Sequence, residues 1–485
     1  MSSAGNTEMS PVIRNTTYSF SLNNNGNLDK MDLSMTVDEE DLQSPPKTST
    51  IVKENTTDIF LTESSVEDVE AEESLMQSET LNDTNQNIDL DISNQVENLT
   101  KDEDLFQCAL VELGRRLWDS SLEKQHYTKG CLWSPDGTCI LTAVHLDGMH
   151  VIELPNDLYN TFSTQTIPSK RSVSTLTSAV HVKEGGTVYD YAWYPFMNSS
   201  APETCCWLAS RQHEPIHMWD AFTGELRCSY RGYDSVDEVE SAIAITFSND
   251  GEKIFGGYKK SIKIFDTKVP GRDLNSIAVK QAISCFALTT DNDRTVTTGS
   301  WQGLINHYDL RAPKLGPLFT LGGHTGGITW LRYAALSESD SWTLFSGARK
   351  DNKILEWDMR NYTEPVRDFT RNVATNQRIY FDLSPQEKRW LVSGGTDGNI
   401  RIWDLENNVE EVLKIHGDCC NGVNFHPSLP IIATSSGQHH FVDTSECETS
   451  LENQKAAQNE DITVEYENTL RLWWIGKSPV DQELN

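Results

Sequence analysis

Residues 393 to 404, SGGTDGNIRIWD, read as a strand ending in small residues, a polar turn built on Asp397-Gly398, and a second strand ending in an aromatic and an aspartate. Two β-rich runs split by turn residues form a hairpin signal. The same pattern returns in ASRQHEPIHMWD (209 to 220), GGYKKSIKIFD (256 to 266), TGSWQGLINHYD (298 to 309) and SGARKDNKILEWD (346 to 358), and in degenerate form in NTLRLWW (468 to 474). The aromatic positions 219, 265, 308, 357, 403 and 473 lie 46, 43, 49, 46 and 70 residues apart. The first four spacings fall near the period of WD-type propeller blades.

The long last step has a local cause. Residues 438 to 467 carry 8 acidic residues and 1 lysine and interrupt the final blade between IIATSSG and NTLRLWW, which is the pattern of a surface loop. Upstream, GCLWSPDGTCILTAVHLDGMHVIEL (130 to 154) supplies one more unit without the aromatic-Asp ending. The expected fold is therefore all-β, a seven-bladed WD-repeat β-propeller over 105 to 476 with a short tail at 477 to 485. Part of 106 to 121 is expected to become the outer strand of the last blade, because joining the termini removes a free sheet edge. The Ser/Thr-rich stretch 155 to 187 is read as a linker between blades one and two.

Composition sets the head apart. Residues 1 to 104 hold 23 Asp+Glu against 5 Lys+Arg and no Trp, whereas all 13 tryptophans and all 10 cysteines lie beyond them. Such a segment has too little apolar surface to offset its ordering entropy and is expected to be disordered and acidic. The chain as a whole carries a formal charge of -32, which argues against coating nucleic acid by bulk charge and leaves room for a local basic face. Nothing resembles a secretory signal or a membrane span. Cys205-Cys206 and Cys419-Cys420 have the spacing of neither a thiol redox site nor a zinc knuckle, so reduced thiols are expected.

Nucleotide-binding, dinucleotide-binding and hydrolase motifs are absent, and the histidines form no helical ligand pair. No enzyme activity, catalytic residue, metal or cofactor is expected. His324 with Asp351 has the makings of a base and its orienting carboxylate. The spacing of His324, Ser346, Asp351 and Trp357 fits better a structural network inside blade five, in which the turn Asp orients the His, the His reaches the strand hydroxyl, and the hydroxyl meets the indole.

In a propeller, the turns between second and third strands and the loops between blades open on one face. There the sequence places Arg211, Lys259, Lys260, Trp301, Arg349 and Lys350 in turns, and Lys280 and Arg378 in inter-blade loops. Cations with an aromatic platform suit looped single-stranded RNA, since phosphate needs Lys or Arg and a splayed base needs a π-face. The same residues also suit a propeller that binds only proteins.

Several unusual strings then narrow the reading. VYDYAWYPFMNSSAPETCCWLASRQHEPIHMWDAFTGELRCSYRGYD (188 to 234), KVPGRD (268 to 273), LGGHTGGITWL (321 to 331), SGARKDNKILEWDMR (346 to 360), TNQRIYFDLSP (375 to 385), DCCNGVNFHPSLPIIATSSGQ (418 to 438) and LRLWW (470 to 474) resemble, in order, the telomerase Cajal body protein family. The resemblance implies a non-catalytic adaptor that recognises the Cajal-body localisation box of small Cajal-body RNAs, and telomerase RNA where an organism has it. It further implies the pseudouridine-synthase ribonucleoprotein core proteins and Cajal-body scaffold proteins as partners, no membrane, and a nuclear, Cajal-body location with the cytoplasm as a second one. The alternative is a protein-only scaffold of nuclear ribonucleoprotein assembly.

Because the head offers little to pack, deleting residues 1 to 104 should leave cooperative melting intact, with the midpoint moved by less than about 5 °C in calorimetry.

Overall fold

The computed structural model describes residues 110–121, 124–159, 171–183, 186–273, 275–289, 294–334, 342–385, 389–441 and 466–476. The acidic head, the tail and most of the 438 to 467 insertion lie outside them. The described chain forms a seven-bladed β-propeller in which each blade is built on four antiparallel radial strands, with the short strands Val239–Glu240 and Gly271–Arg272 added to blade two and Ser174–Thr175 to blade seven. Blade five is typical: Ile328–Tyr333 is innermost, followed outward by Thr343–Ala348, Lys353–Asp358 and Arg367–Thr370.

The ring closes through its termini. Val111–Leu117 pairs antiparallel with Thr469–Trp474, Val111 facing Trp474 and Leu117 facing Thr469, and so becomes the outer strand of blade seven. The expected linker at 155 to 187 is corrected. Ser178–Val182 is the outer strand of blade one, and Ser174–Thr175 runs parallel to Val111–Leu117 at the edge of blade seven. The alternation of that stretch is short and Ser-rich, the pattern of a linker, yet Val180 and Val182 point into the core.

The strands are buried on both faces, so the core is a set of seams between neighbouring blades. Seven apolar clusters fill them: Leu113, Trp133, Leu472 and Trp474 lie between blades seven and one, and Phe345, Ile354, Phe381 and Trp403 between five and six. The inner strands splay too far apart to share a ladder, and side chains bridge them instead. Trp193 Nε1 donates to the Leu132 carbonyl (3.1 Å), the Ile245 N–H to Asp190 (2.9 Å), Ser284 Oγ to the Ile328 carbonyl (2.6 Å) and Trp330 Nε1 to the Phe381 carbonyl (3.0 Å). The Phe425 N–H donates to Asp382 (3.0 Å) and the Trp133 N–H to Asn424 (2.7 Å), so buried polar groups are satisfied where the ladder cannot reach.

Within blade five, Trp357 Nε1 donates to Ser346 Oγ (2.8 Å), and Ser346 Oγ lies 2.8 Å from His324 Nε2. His324 Nδ1 lies 3.1 Å from Asp351. A carboxylate only accepts, so the ring proton is on Nδ1 and Nε2 accepts from the serine. Burial pushes the Asp351 carboxyl up, but His324 and the Thr325 and Lys353 N–H groups it accepts from outweigh burial and hold it well below the usual range.

Blade seven repeats this set with Trp473, Thr434, His416 and Glu467, the last being the final residue of the acidic insertion. Blade six departs from it: Arg371 takes the histidine's place at Ser393 (2.9 Å), and Asp397 pairs with Arg401 (2.7 Å). The start of the insertion is also built in. His440 pairs with Asp418 (2.7 Å) and its N–H donates to Gln125 (2.8 Å), so an excision tolerated by the fold should begin after Phe441.

His324→Leu should destabilise the chain by about 1 to 3 kcal/mol, since Asp351 and Ser346 each lose a buried partner. Urea unfolding measures the loss, and it should be matched by a lower yield of soluble protein.

Candidate RNA interface

Backbone hydrogen bonds fasten the turns between second and third strands to the inter-blade loops beside them. Val279 N–H donates to Lys260 (2.9 Å), Trp301 N–H to Ala282 (3.4 Å), Arg349 N–H to Gly327 (2.9 Å) and Lys350 N–H to Thr375 (3.1 Å). These bonds run through blades three to six and place Lys260, Lys280, Trp301, Arg349 and Lys350 along one arc of the same face. The Gly-Gly-His-Thr-Gly-Gly loop is wedged between two of the turns: a Cβ at Gly326 would overlap the Arg349 carbonyl, and one at Gly327 would lie 2.5 Å from the Trp301 carbonyl. Only glycine fits there.

Trp301 is 47% exposed, and the Arg349 guanidinium lies 6.0 Å from its ring centre, a cation stacked on an indole across two blades. Lys350 beside it is exposed and held in the left-handed region at φ 49°. Lys259, Lys260 and Lys280 are likewise exposed. Arg211 sits in the equivalent turn of blade two, where Glu214 lies 3.3 Å away, so its charge is partly compensated.

Arg378 does not share that rim. Its side chain turns into the central channel, where Nη1 meets Asp190 (2.7 Å) and Nη2 donates to the Ser284 carbonyl (3.1 Å). The guanidinium stacks near Trp330 and Tyr380, and it is 16% exposed against 7% for Asp190. Burial opposes its charge, and Asp190 outweighs burial and holds the guanidinium above its ordinary pKa. Reading loops by position alone placed Arg378 on the surface, because nothing in TNQRIYF marks which way its side chain turns.

Sequence reasoning missed the channel mouth. Lys129, Tyr189, Tyr191 and Gln377 line a 190 Å³ cavity there together with Arg378 and Tyr380. The available signal was the start of each inner strand, where alternate residues face the axis.

His324 and Asp351 are 1% and 7% exposed, which closes that pair to substrate. Among the described residues, Asp147, His150 and His181 bring possible metal-ligand atoms within 4.8 Å of one another. The two imidazoles stack at 4.2 Å and 13°, so their in-plane lone pairs do not converge on one ion. His150 is already bonded to Asp147 (3.0 Å) and Ser178 (2.9 Å).

The closed ring and its Trp-Ser-His-Asp networks define a WD-repeat propeller, and residues 382–404 match the WD domain, G-beta repeat family. The chain is 58% identical over 385 residues to the telomerase Cajal body protein 1 homolog of Drosophila melanogaster, covering 77% of this chain and 70% of that one. It is 38% identical to telomerase Cajal body protein 1 of Bos taurus over 372 residues and of Homo sapiens over 373, each match covering 74% of this chain and 66% of the relative. The chain belongs to the telomerase Cajal body protein 1 family.

Arg378→Met should cost about 3 to 5 kcal/mol by stranding Asp190 in the channel. Adding Asp190→Asn should recover part of that loss in a double-mutant cycle read by urea unfolding.

Proposed function

We propose that this chain is a non-catalytic adaptor whose loop face binds RNA: the Cajal-body localisation box of small Cajal-body RNAs, and telomerase RNA where the organism has it. The adaptor directs these particles to Cajal bodies, with pseudouridine-synthase core proteins and Cajal-body scaffold proteins as the protein partners. The observation that carries this reading is exposed Trp301 with the half-buried Arg349 guanidinium 6.0 Å from its ring centre, flanked by Lys350 and by Lys259, Lys260 and Lys280 along the same arc. A protein with a formal charge of -32 concentrates cations there beside a π-face, the combination a phosphate backbone with a splayed base requires. Family membership supports the choice of RNA.

The test is binding of the whole chain to a hairpin bearing the box and to a loop-mutated control at three salt concentrations. A clear preference for the intact loop supports the reading. Equal affinity for both, or none for either, sinks it in favour of a protein-only scaffold. Lys350→Glu should weaken binding and lower the logarithmic salt slope by about 0.7 to 0.9. Trp301→Ala should cost roughly 1 to 3 kcal/mol with little change in slope. Both effects are to be read on variants that melt like the parent.

A further inference from the structure

The channel mouth holds an imbalance of charge. Lys129 Nζ donates to the Val188 carbonyl (3.0 Å), and among the described residues no carboxylate lies within ion-pairing distance of it. The carboxylate closest in role, Asp190, is committed: Oδ1 to Arg378 at 2.7 Å and Oδ2 to the Ile245 N–H at 2.9 Å. Two cations thus share one acid at the end of the channel that opens on the loop face. A desolvated ammonium of this kind is stabilised by an incoming anion.

The walls suit an anion that carries a flat apolar group. Tyr189 is 39% exposed at the rim of the 190 Å³ cavity, with the rings of Tyr191 and Tyr380 behind it and the Gln377 amide beside them. Gln377 Nε2 donates to the Thr128 carbonyl (3.4 Å), which leaves the amide oxygen and the second N–H for a base edge. The cavity is also continuous with the basic arc, since Lys350 N–H bonds to Thr375, two residues before Gln377. On the side of blade two, the Gln212 N–H holds Thr187, which lines the same cavity, one residue past Arg211.

We propose that this cavity is a single-nucleotide pocket that takes one extruded residue of a single-stranded RNA loop, its phosphate at Lys129 and its base against Tyr189. The proposal rests on the reading that the loop face binds RNA and deepens it by naming a second, deeper contact. An acidic peptide would satisfy Lys129 and leave the tyrosine wall unused, which is why RNA is favoured.

The pocket gives the interaction a pH signature. Burial, with Arg378 adding to it, pulls the Lys129 ammonium down to about 8. The other groups facing it stay fixed in this range. Burial holds the Tyr191 and Tyr380 phenols above 10 and depresses His145 to about 4, and Arg378 stays charged beside Asp190. Phosphate selects the protonated lysine, so wild-type affinity should fall about fourfold from pH 7 to 8.5 as the free ammonium loses its proton.

The experiment uses the whole chain and the box-bearing hairpin. Lys129→Met should weaken binding at pH 7 at least tenfold, lower the salt slope by about 0.7 and abolish the fall above pH 7. Lys129→Arg should retain binding with a flat profile, and Tyr189→Ala should weaken binding without changing the salt slope. Tyr189 is a rim residue, so its variant keeps the test sound if Lys129→Met melts low. Selective binding by the wild type that is unchanged in Tyr189→Ala and flat in pH overturns the pocket while the rim reading stands. Competition for Lys129 by a poly-glutamate peptide, with RNA affinity independent of this residue, also overturns it. Absence of loop-selective binding by the wild type removes both readings.

Discussion

Arg378 is anchored on blade six and reaches across the channel to a carboxylate on blade two and a carbonyl on blade four. A propeller leaves its axis unfilled, because seven wedge-shaped sheets pack side to side and their inner strands cannot meet. The apolar seams hold each blade to its neighbours, but they fix only adjacent pairs. One guanidinium joining three non-adjacent blades fixes the ring as a whole. Its charge is tolerable there only because Asp190 is itself held by the Ile245 N–H of blade three, so the pair is hydrogen-bonded on both sides.

Each blade then settles its own polar interior. Blades five and seven use a Trp, a hydroxyl, a His and a carboxylate. In blade seven the carboxylate is Glu467, which also receives the Gly417 N–H and pairs with Arg471 (2.7 Å). The acidic insertion is thus bounded by two anchored residues, His440 and Glu467, each tied to the loop that enters blade seven. Burial and the His416 and Arg471 partners together set the Glu467 carboxyl: burial raises it, the partners prevail, and it settles at about 2.

Blades two to six were legible because each ends a strand on an aromatic and Asp at a near-constant period. Closure was legible because an open array would leave a free sheet edge that the segment before blade one can cover. The outer strand of blade one was not, since SAVHV presents only two apolar residues to the core and sits in a Ser/Thr-rich run. The arc of Lys260, Trp301, Arg349 and Lys350 could be placed from sequence because a tight turn leaves its side chains little choice but solvent. Arg378 could not, for a loop arginine is long enough to turn either way, and the decision rests with Asp190, 188 residues away. The Lys129 cavity is hidden for a related reason: it is assembled from blades one, two and six, and no local window contains it.

Closure through the termini has a consequence for how the molecule is made. Val111–Leu117 leaves the ribosome some 350 residues before its partner Thr469–Trp474. At ordinary rates of synthesis that is a wait of about 20 to 70 s. During it Leu113, buried in the finished ring, has no blade to enter, and the arc of blades one to six leaves an apolar face uncovered at each end. Thr469–Trp474 is therefore the strand that turns an aggregation-prone arc into a ring.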